Sequence, residues 1–245
     1  MMTFGEFRKR FFSIRKCLGC GKILEYDERD EIFCESCALA WSVAKTQSCK
    51  ECLQSAIECT CQPKELAKTG SLCLRKLIFY HKKRGTPPQM RIVYRLKYRP
   101  HKRAEKFLSA ELSRVMLKEL EALEISDIEN EAVIINIPRS IRSRRRYGID
   151  QSERVARAVS ETSGVPYADA IQRACLFSRE QKYLTKKGRF KSVRGQFLVD
   201  ETLVEGKYVF LYDDIVTTGA SMSACAELLR KAGAKAIVCL CIAQN

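Results

Sequence analysis

Long apolar runs are missing from this chain. Nothing in it approaches the roughly 20 consecutive apolar residues that a membrane-spanning helix needs, although 46% of its 245 residues are hydrophobic. Histidine is almost absent: only His81 and His101 occur, and neither lies among the clustered cysteines. A catalytic zinc centre, which needs an open coordination position and a nearby base, is therefore not expected in that cluster. The first residues, MMTFGEFRKRFFSIRKC, are basic and aromatic but lack the apolar centre and small-residue cleavage site of a signal peptide. The expectation is a cytoplasmic protein. Internal repeats and low-complexity tracts are lacking too. At 28.0 kDa the chain has room for one ordinary globular domain plus a small appendage.

Positive charge and cysteine are plentiful. Lys and Arg number 44 against 29 Asp and Glu, a net charge of +15, which attracts polyanions such as nucleic acid or phosphorylated small molecules. Nine of the 13 cysteines lie between Cys17 and Cys73. Cys17 and Cys20 form one C-x-x-C, and Cys34 and Cys37 a second. This is the spacing of a structural zinc ribbon, with disulfides as the alternative that a cytosolic chain disfavours. Gly21, after Cys20, suits a turn with positive φ. Cys49 and Cys52 form a third knuckle, followed by Cys59 and Cys61 with one residue between them. These four make a second zinc site, with partner exchange between the two sets left open. Cys73, Cys175, Cys225, Cys239 and Cys241 sit in apolar surroundings and read as core. Residues 1–65 are thus expected to be a metal-stapled module, because so few aliphatics cannot hold it by burial alone, and residues 66–245 a separate domain.

In that second part, LCLRKLIFY and MRIVYRLKYR read as a short helix or strand pair around a basic loop. Ala104 to Leu123 has the three- and four-residue apolar spacing of an amphipathic helix. Ala132 to Pro138 reads as a buried strand, Asp150 to Thr162 as a helix, Tyr167 to Ile171 as a short strand, and Val209 to Tyr212 as another buried strand. Gly219 to Ala232 is a helix closed by Gly233, and Ala236 to Ile242 a last strand. Such alternation predicts an α/β fold with a parallel sheet and helices on its faces.

The sharpest signal is VFLYDDIVTTGAS, Val209 to Ser221. An apolar strand ends in Asp213 and Asp214, and the turn Thr217-Thr218-Gly219-Ala220-Ser221 leads directly into a helix. Ligands of open α/β sheets bind beyond the carboxyl ends of strands. Backbone N–H groups at a helix N-terminus cradle phosphate. Two carboxylates beside such a cradle make sense only if they face ribose hydroxyls and a divalent cation. The sequence here resembles the motif by which type I phosphoribosyltransferases bind phosphoribosyl pyrophosphate (PRPP). The resemblance gives Asp213 and Asp214 the ribose hydroxyls and Thr217 to Ser221 the 5-phosphate. Tyr212 departs from it, since a smaller aliphatic is commoner there. Arg139 and Ser140, after the earlier strand, correspond to the pyrophosphate loop. The stretch from Phe177 to Phe197 corresponds to the mobile loop that closes over PRPP.

Zinc knuckles, RLKYR (Arg95 to Arg99), the Arg-rich segment ending in GIDQSE, the basic loop ending in VRGQF and finally DDIVTTGAS follow in an order that resembles the ComF family of competence-associated proteins over nearly the whole chain. Ile149 and Asp150 depart from the usual GFNQSE. The resemblance implies a Rossmann-like type I phosphoribosyltransferase fold behind a zinc ribbon. It also implies structural Zn²⁺, Mg²⁺ with PRPP, and a link to uptake or processing of transforming DNA. Two functions stand side by side. One is an enzyme transferring a phosphoribosyl group to an unidentified nitrogen acceptor. The other is a non-catalytic module whose basic surface and zinc ribbon hold single-stranded DNA or a DNA-uptake protein, with Tyr94, Tyr98, Tyr147 and Tyr183 near its basic runs. Oligomeric state is not legible.

Overall fold

The computed structural model describes residues 15–25, 28, 31–80, 87–98, 101–139, 148, 150–173, 189–191 and 196–245. Its centre is a parallel sheet of strands β1 (Cys73–Phe79), β2 (Ala132–Asn136), β6 (Tyr208–Val216) and β7 (Ala236–Gln244), in the order β1-β7-β6-β2. A smaller antiparallel sheet joins β3 (Ile171–Arg173), β5 (Phe197–Asp200) and β4 (Arg189–Lys191), in that order. The helices are α1 (Glu35–Thr46), α2 (Lys64–Ala67), α3 (Pro88–Tyr98), α4 (Lys102–Ala122), α5 (Ile128–Glu131), α6 (Gln151–Ser163) and α7 (Ala220–Lys231).

Both faces of the parallel sheet are covered, which is why β2, β6 and β7 read as nearly unbroken apolar runs. On one face Ile134, Phe210, Tyr212 and Leu240 pack with Leu112 and Met116 of α4 and Val155 and Val159 of α6. On the other, Ile135, Leu211, Cys239 and Cys241 pack with Cys225, Leu228 and Leu229 of α7 and with Phe197 and Val199 of β5. The result is a three-layer α/β domain. Burial pushes the Cys73 and Cys241 thiols up, each to about 12, and raises Cys225 and Cys239 as well. These cysteines are core side chains, as their surroundings implied. Cys175 lies outside the described residues.

The cysteine-rich segment packs into the first of these cores. Leu18, Phe33 and Trp41 are buried with it, and Phe107 of α4 sets its ring edge against Phe33 and Trp41, at 5.3 Å from each. Trp41 Nε1 donates to Glu111 Oε2 (3.3 Å), and Lys45 Nζ donates to the same oxygen (2.7 Å).

Several element boundaries differ from expectation. LCLRKLIFY is strand β1, and MRIVYRLKYR is largely helix α3. Only Tyr167 of its expected strand bridges β2, opposite Ile134, and the ladder proper is β3. Within the expected loop from Phe177 to Phe197, Arg189–Lys191 is a strand, and residues 177–188 and 192–195 lie outside the described residues. Among the described residues, no helix is long and apolar enough to cross a membrane.

Candidate functional site

Strand β6 does not stop at Tyr212. Its ladder with β7 runs on through Asp213 and pairs Val216 with Gln244. Ladder bonds are made by the backbone, so two acidic side chains interrupt the apolar pattern without interrupting the strand. Successive side chains then point to opposite faces. Tyr212 and Asp214 share one face, and the fully buried Tyr212 hydroxyl donates to Asp214 Oδ1 at 2.8 Å. Burial holds the Tyr212 phenol well above its ordinary range, so it stays a donor. Asp213 accepts from the Asp214 backbone N–H through Oδ1 (2.9 Å).

Burial and the neighbouring Asp214 charge push Asp213 up to about 7. Burial raises Asp214 too, opposed by the Tyr212 hydroxyl and by Arg139. Two adjacent acids, Asp214 buried and Asp213 half-buried, resist double ionisation. A cation or hydroxyl donors placed against them would relieve that cost.

The neighbouring strand β2 supplies the counter-charge. Its parallel register sets Asn136 beside Tyr212, and Ile137 N–H donates to the Tyr212 carbonyl (2.9 Å). Arg139 thus arrives level with the acids. Its Nη2 lies 3.3 Å from Asp214 Oδ2 and 2.7 Å from Gln151 Oε1. Asp150 ties this loop to α6. One carboxylate oxygen accepts from Arg139 N–H (2.9 Å), and the other caps the helix by accepting from Ser152 N–H (3.1 Å) and Glu153 N–H (3.3 Å). An open cleft of about 280 Å³ is lined by Arg139, Gln151, Ser152, Arg173, Asp213, Asp214 and Ser221 among others.

The turn after β6 leads into α7 through Gly219, which is buried with φ +75°. Thr217, Thr218, Ala220 and Ser221 are exposed. An exposed helix N-terminus flanked by hydroxyls is a ready anion cradle.

The eight cysteines of the N-terminal segment gather as two quartets, Cys17/Cys20/Cys34/Cys37 and Cys49/Cys52/Cys59/Cys61. In each, the sulfurs all lie within 4.8 Å of one another. Partner exchange between the sets does not occur. Four sulfurs about 2.3 Å from one tetrahedral ion stand about 3.8 Å apart, and Cys20 and Cys34 Sγ are 3.7 Å apart. Backbone N–H groups of Gly19, Lys22 and Glu51 point at the sulfurs of Cys17, Cys20 and Cys49. The Ser36 hydroxyl beside Cys34 holds that thiol down to about 6. Gly21 has the expected positive φ, +85°. Gly19 has a stricter reason: a Cβ there would lie 2.7 Å from Cys37 Sγ. Each quartet can hold a metal ion, and an all-thiolate tetrahedral set suits zinc.

The structure brings Asp213, Asp214, Arg139 and Ser221 to one cleft, with Thr217 to Ala220 on the adjoining turn. Ser140, Arg142 to Arg146 and Tyr147 lie outside the described residues, as does Tyr183. Sequence reasoning gave no role to Asp150, Gln151 or Arg173. The first two stood in GIDQSE, where the motif itself was the available signal. Arg173 ends a short strand whose place beside the cleft has no local signature.

Known proteins resemble most of this chain. The family described as "Phosphoribosyl transferase domain" matches residues 112–245. "Competence protein ComFC" of Streptococcus pneumoniae is 24% identical over 233 residues, covering 90% of this chain and 96% of that protein. "DNA utilization protein YhgH" of Escherichia coli K12 is 27% identical over 158 residues, 63% of this chain and 67% of that protein. Among solved structures, adenine phosphoribosyltransferase of Saccharomyces cerevisiae aligns over 56% of this chain and 69% of its own, at 18% identity and a TM-score of 0.36. The family match spans more than half the chain, and the ComFC similarity covers 90% of it. This chain belongs to the phosphoribosyl transferase domain family and is a ComF-like member of it.

Proposed function

We propose that the cleft binds PRPP with Mg²⁺, in a competence or DNA-uptake role within the cytoplasm. Asp213 and Asp214 face the ribose hydroxyls, and Thr217, Thr218, Gly219, Ala220 and Ser221 hold the 5-phosphate. Arg139, with Ser140, meets the pyrophosphate, and Arg173 adds a second guanidinium on the same wall. The observation that carries this reading is the meeting of opposites in one cleft. An acidic pair whose ionisation burial opposes lies beside an anion cradle, and Asp214 of that pair lies 3.3 Å from Arg139. A phosphate alone would be repelled by the acids, and a sugar alone would not need the cradle. The two neighbouring carboxylates are hard oxygen donors that suit Mg²⁺. Mg²⁺, when bound, would offset the charge of the pyrophosphate. The residues 1–65 form the zinc-stapled module, with both quartets as structural sites that contribute to folding.

Whether a nucleophile attacks the anomeric carbon depends on an acceptor that would enter the open side of the cleft. In that event no residue need act as a covalent nucleophile, because pyrophosphate leaves toward Arg139 and is stabilised there. A second reading, a binding module for single-stranded DNA or an uptake partner, is favoured by the net charge of +15 and by the names of the relatives. The two readings are compatible.

Calorimetric titration of PRPP with Mg²⁺ tests the first. Saturable binding by the zinc-loaded protein, lost in Asp213→Ala/Asp214→Ala, is the expected result. No heat at millimolar PRPP from folded, zinc-loaded protein would overturn it and leave the DNA- or partner-binding module.

A further inference from the structure

The second cysteine quartet lies far from the acidic pair in sequence but only two residues from the phosphate turn in space. Cys61 is followed by Gln62 and Pro63, and the Pro63 ring lies against Gly219. A Cβ on Gly219 would stand 3.1 Å from Pro63 Cγ and 3.3 Å from Pro63 Cβ. The strap that carries Pro63 is fixed at each step. Lys76, fully buried in β1, donates from Nζ to the Cys61 carbonyl (2.7 Å) and to Cys59 Sγ (3.2 Å). Thr60, between those cysteines, accepts from Leu74 N–H of β1 through its carbonyl (3.3 Å). Arg75 Nη1 donates to the Glu58 carbonyl (2.8 Å).

Beyond the quartet, the Gln62 side chain is bound twice by Ser71: Nε2 donates to the Ser71 carbonyl (3.0 Å), and Oε1 accepts from the Ser71 hydroxyl (2.7 Å). The Pro63 carbonyl then accepts from Leu66 and Ala67 N–H at the start of α2, and Leu66 is fully buried beside α7 in the second core.

This arrangement does more than staple a small module. Four thiolates around one divalent ion carry a net charge of −2, and the buried Lys76 ammonium answers part of it, locking the quartet onto β1. The metal fixes Cys61, Cys61 fixes the strap, and the strap presses a rigid ring onto the one residue of the phosphate turn whose φ is left-handed. A turn held in its anion-binding shape before the ligand arrives costs less to bind.

We propose that Pro63 is a positioning residue for the phosphate turn, and that metal occupancy of Cys49/Cys52/Cys59/Cys61 and ligand affinity at Thr217 to Ser221 are coupled through it. The ligand half rests on the PRPP reading above; the clamp on the turn does not.

The test compares full-length, zinc-loaded wild type with Pro63→Gly, Pro63→Val, Cys61→Ser and Cys61→Ser/Pro63→Gly. Three quantities are read: zinc content, Mg·PRPP affinity, and hydrogen exchange of the amides of residues 217–223. Pro63→Gly keeps both metals, weakens PRPP roughly tenfold and speeds exchange in the turn, at the modest end of typical site-to-site coupling. Pro63→Val, which restores an apolar branched group on Gly219, recovers most of the affinity. Cys61→Ser loses the second zinc and shows the same defect in the turn, and the double variant adds little to it. Unchanged exchange and affinity in Pro63→Gly, or fully additive effects in the double variant, overturn the proposal. Should the wild type bind no PRPP while exchange in the turn still rises in Pro63→Gly and Cys61→Ser, the ligand reading falls and the clamp stands.

Discussion

Replacing Tyr212 by phenylalanine removes one oxygen from a fully buried ring and leaves the packing of β6 intact. That oxygen donates to Asp214 Oδ1 at 2.8 Å, and burial keeps the phenol protonated, so the donor persists across the working pH range. A hydrogen bond to a charged acceptor is worth about 1.5–3 kcal/mol. Losing it disfavours the ionised Asp214 by that amount, which moves the ionisation of the acidic pair upward by roughly one to two pH units. On the PRPP reading, ribose hydroxyls and Mg²⁺ would be held by the ionised acids. At a pH below the midpoint, Tyr212→Phe therefore weakens Mg·PRPP binding by roughly 10- to 100-fold, and the gap closes as pH rises past the shifted midpoint. Calorimetry of both proteins from pH 6 to 9 reads this directly, because ionisation of the ligand's own phosphates cancels in the ratio of their affinities. A ratio that stays at one, or that is large but independent of pH, would refute the account of Tyr212 as the donor that keeps Asp214 ionisable.

Other outcomes follow from the same geometry. Asp213 is raised from 3.8 to about 7 by burial and by Asp214. Because the folded-state value lies above the unfolded one, this residue lowers stability progressively as pH rises from about 4 to about 7, with the full cost present above that. Asp213→Asn should therefore be more stable than wild type at pH 8 by on the order of 2–4 kcal/mol, and equal to it near pH 4, in urea denaturation. Gly19→Ala places a methyl 2.7 Å from Cys37 Sγ, so the purified variant should hold one zinc fewer by elemental analysis. Lys76→Met removes the ammonium from Cys59 Sγ. A chelator should then strip one metal faster, by roughly tenfold, while the other leaves at the wild-type rate. Asp150→Ala loses the cap of α6 and orphans the Arg139 N–H, which should cost about 1–2 kcal/mol in the same denaturation assay.

Much of this molecule is written locally. The knuckles announce themselves by spacing, the strand-turn-helix after Tyr208 by its change of period, and the core cysteines by their apolar neighbours. What was hidden depends on residues distant in sequence. Val209 to Tyr212 was read as the whole strand because hydrophobicity ends there, whereas the ladder, built from backbone groups, continues to Val216. In LCLRKLIFY the charges at Arg75 and Lys76 obscured a buried edge strand. Both are buried because their partners, Glu119, the Glu58 and Cys61 carbonyls and Cys59 Sγ, come from elsewhere in the chain. No local pattern reports such pairings.

Tyr212 makes the point in the other direction. A tyrosine where a smaller aliphatic is commoner looked like a departure from the motif, a matter of size. The hydroxyl is the relevant part: in a strand, residues two apart share a face, and the donor at position 212 serves the carboxylate at position 214. Asp213, on the opposite face, accepts no side-chain hydrogen bond among the described residues and is the acid pushed up to about 7. The pair is thereby made unequal, with one carboxylate held toward ionisation by Tyr212 and Arg139 and the other left to share its neighbour's repulsion. An unequal pair takes up a cation or a diol in steps, the first acid already prepared and the second recruited by what binds. The same asymmetry explains why Arg139 leans on Asp214 and Gln151 rather than reaching into the open cleft. Its charge is already in use, and an anionic ligand must offer it something better than the Asp214 carboxylate and the Gln151 amide oxygen.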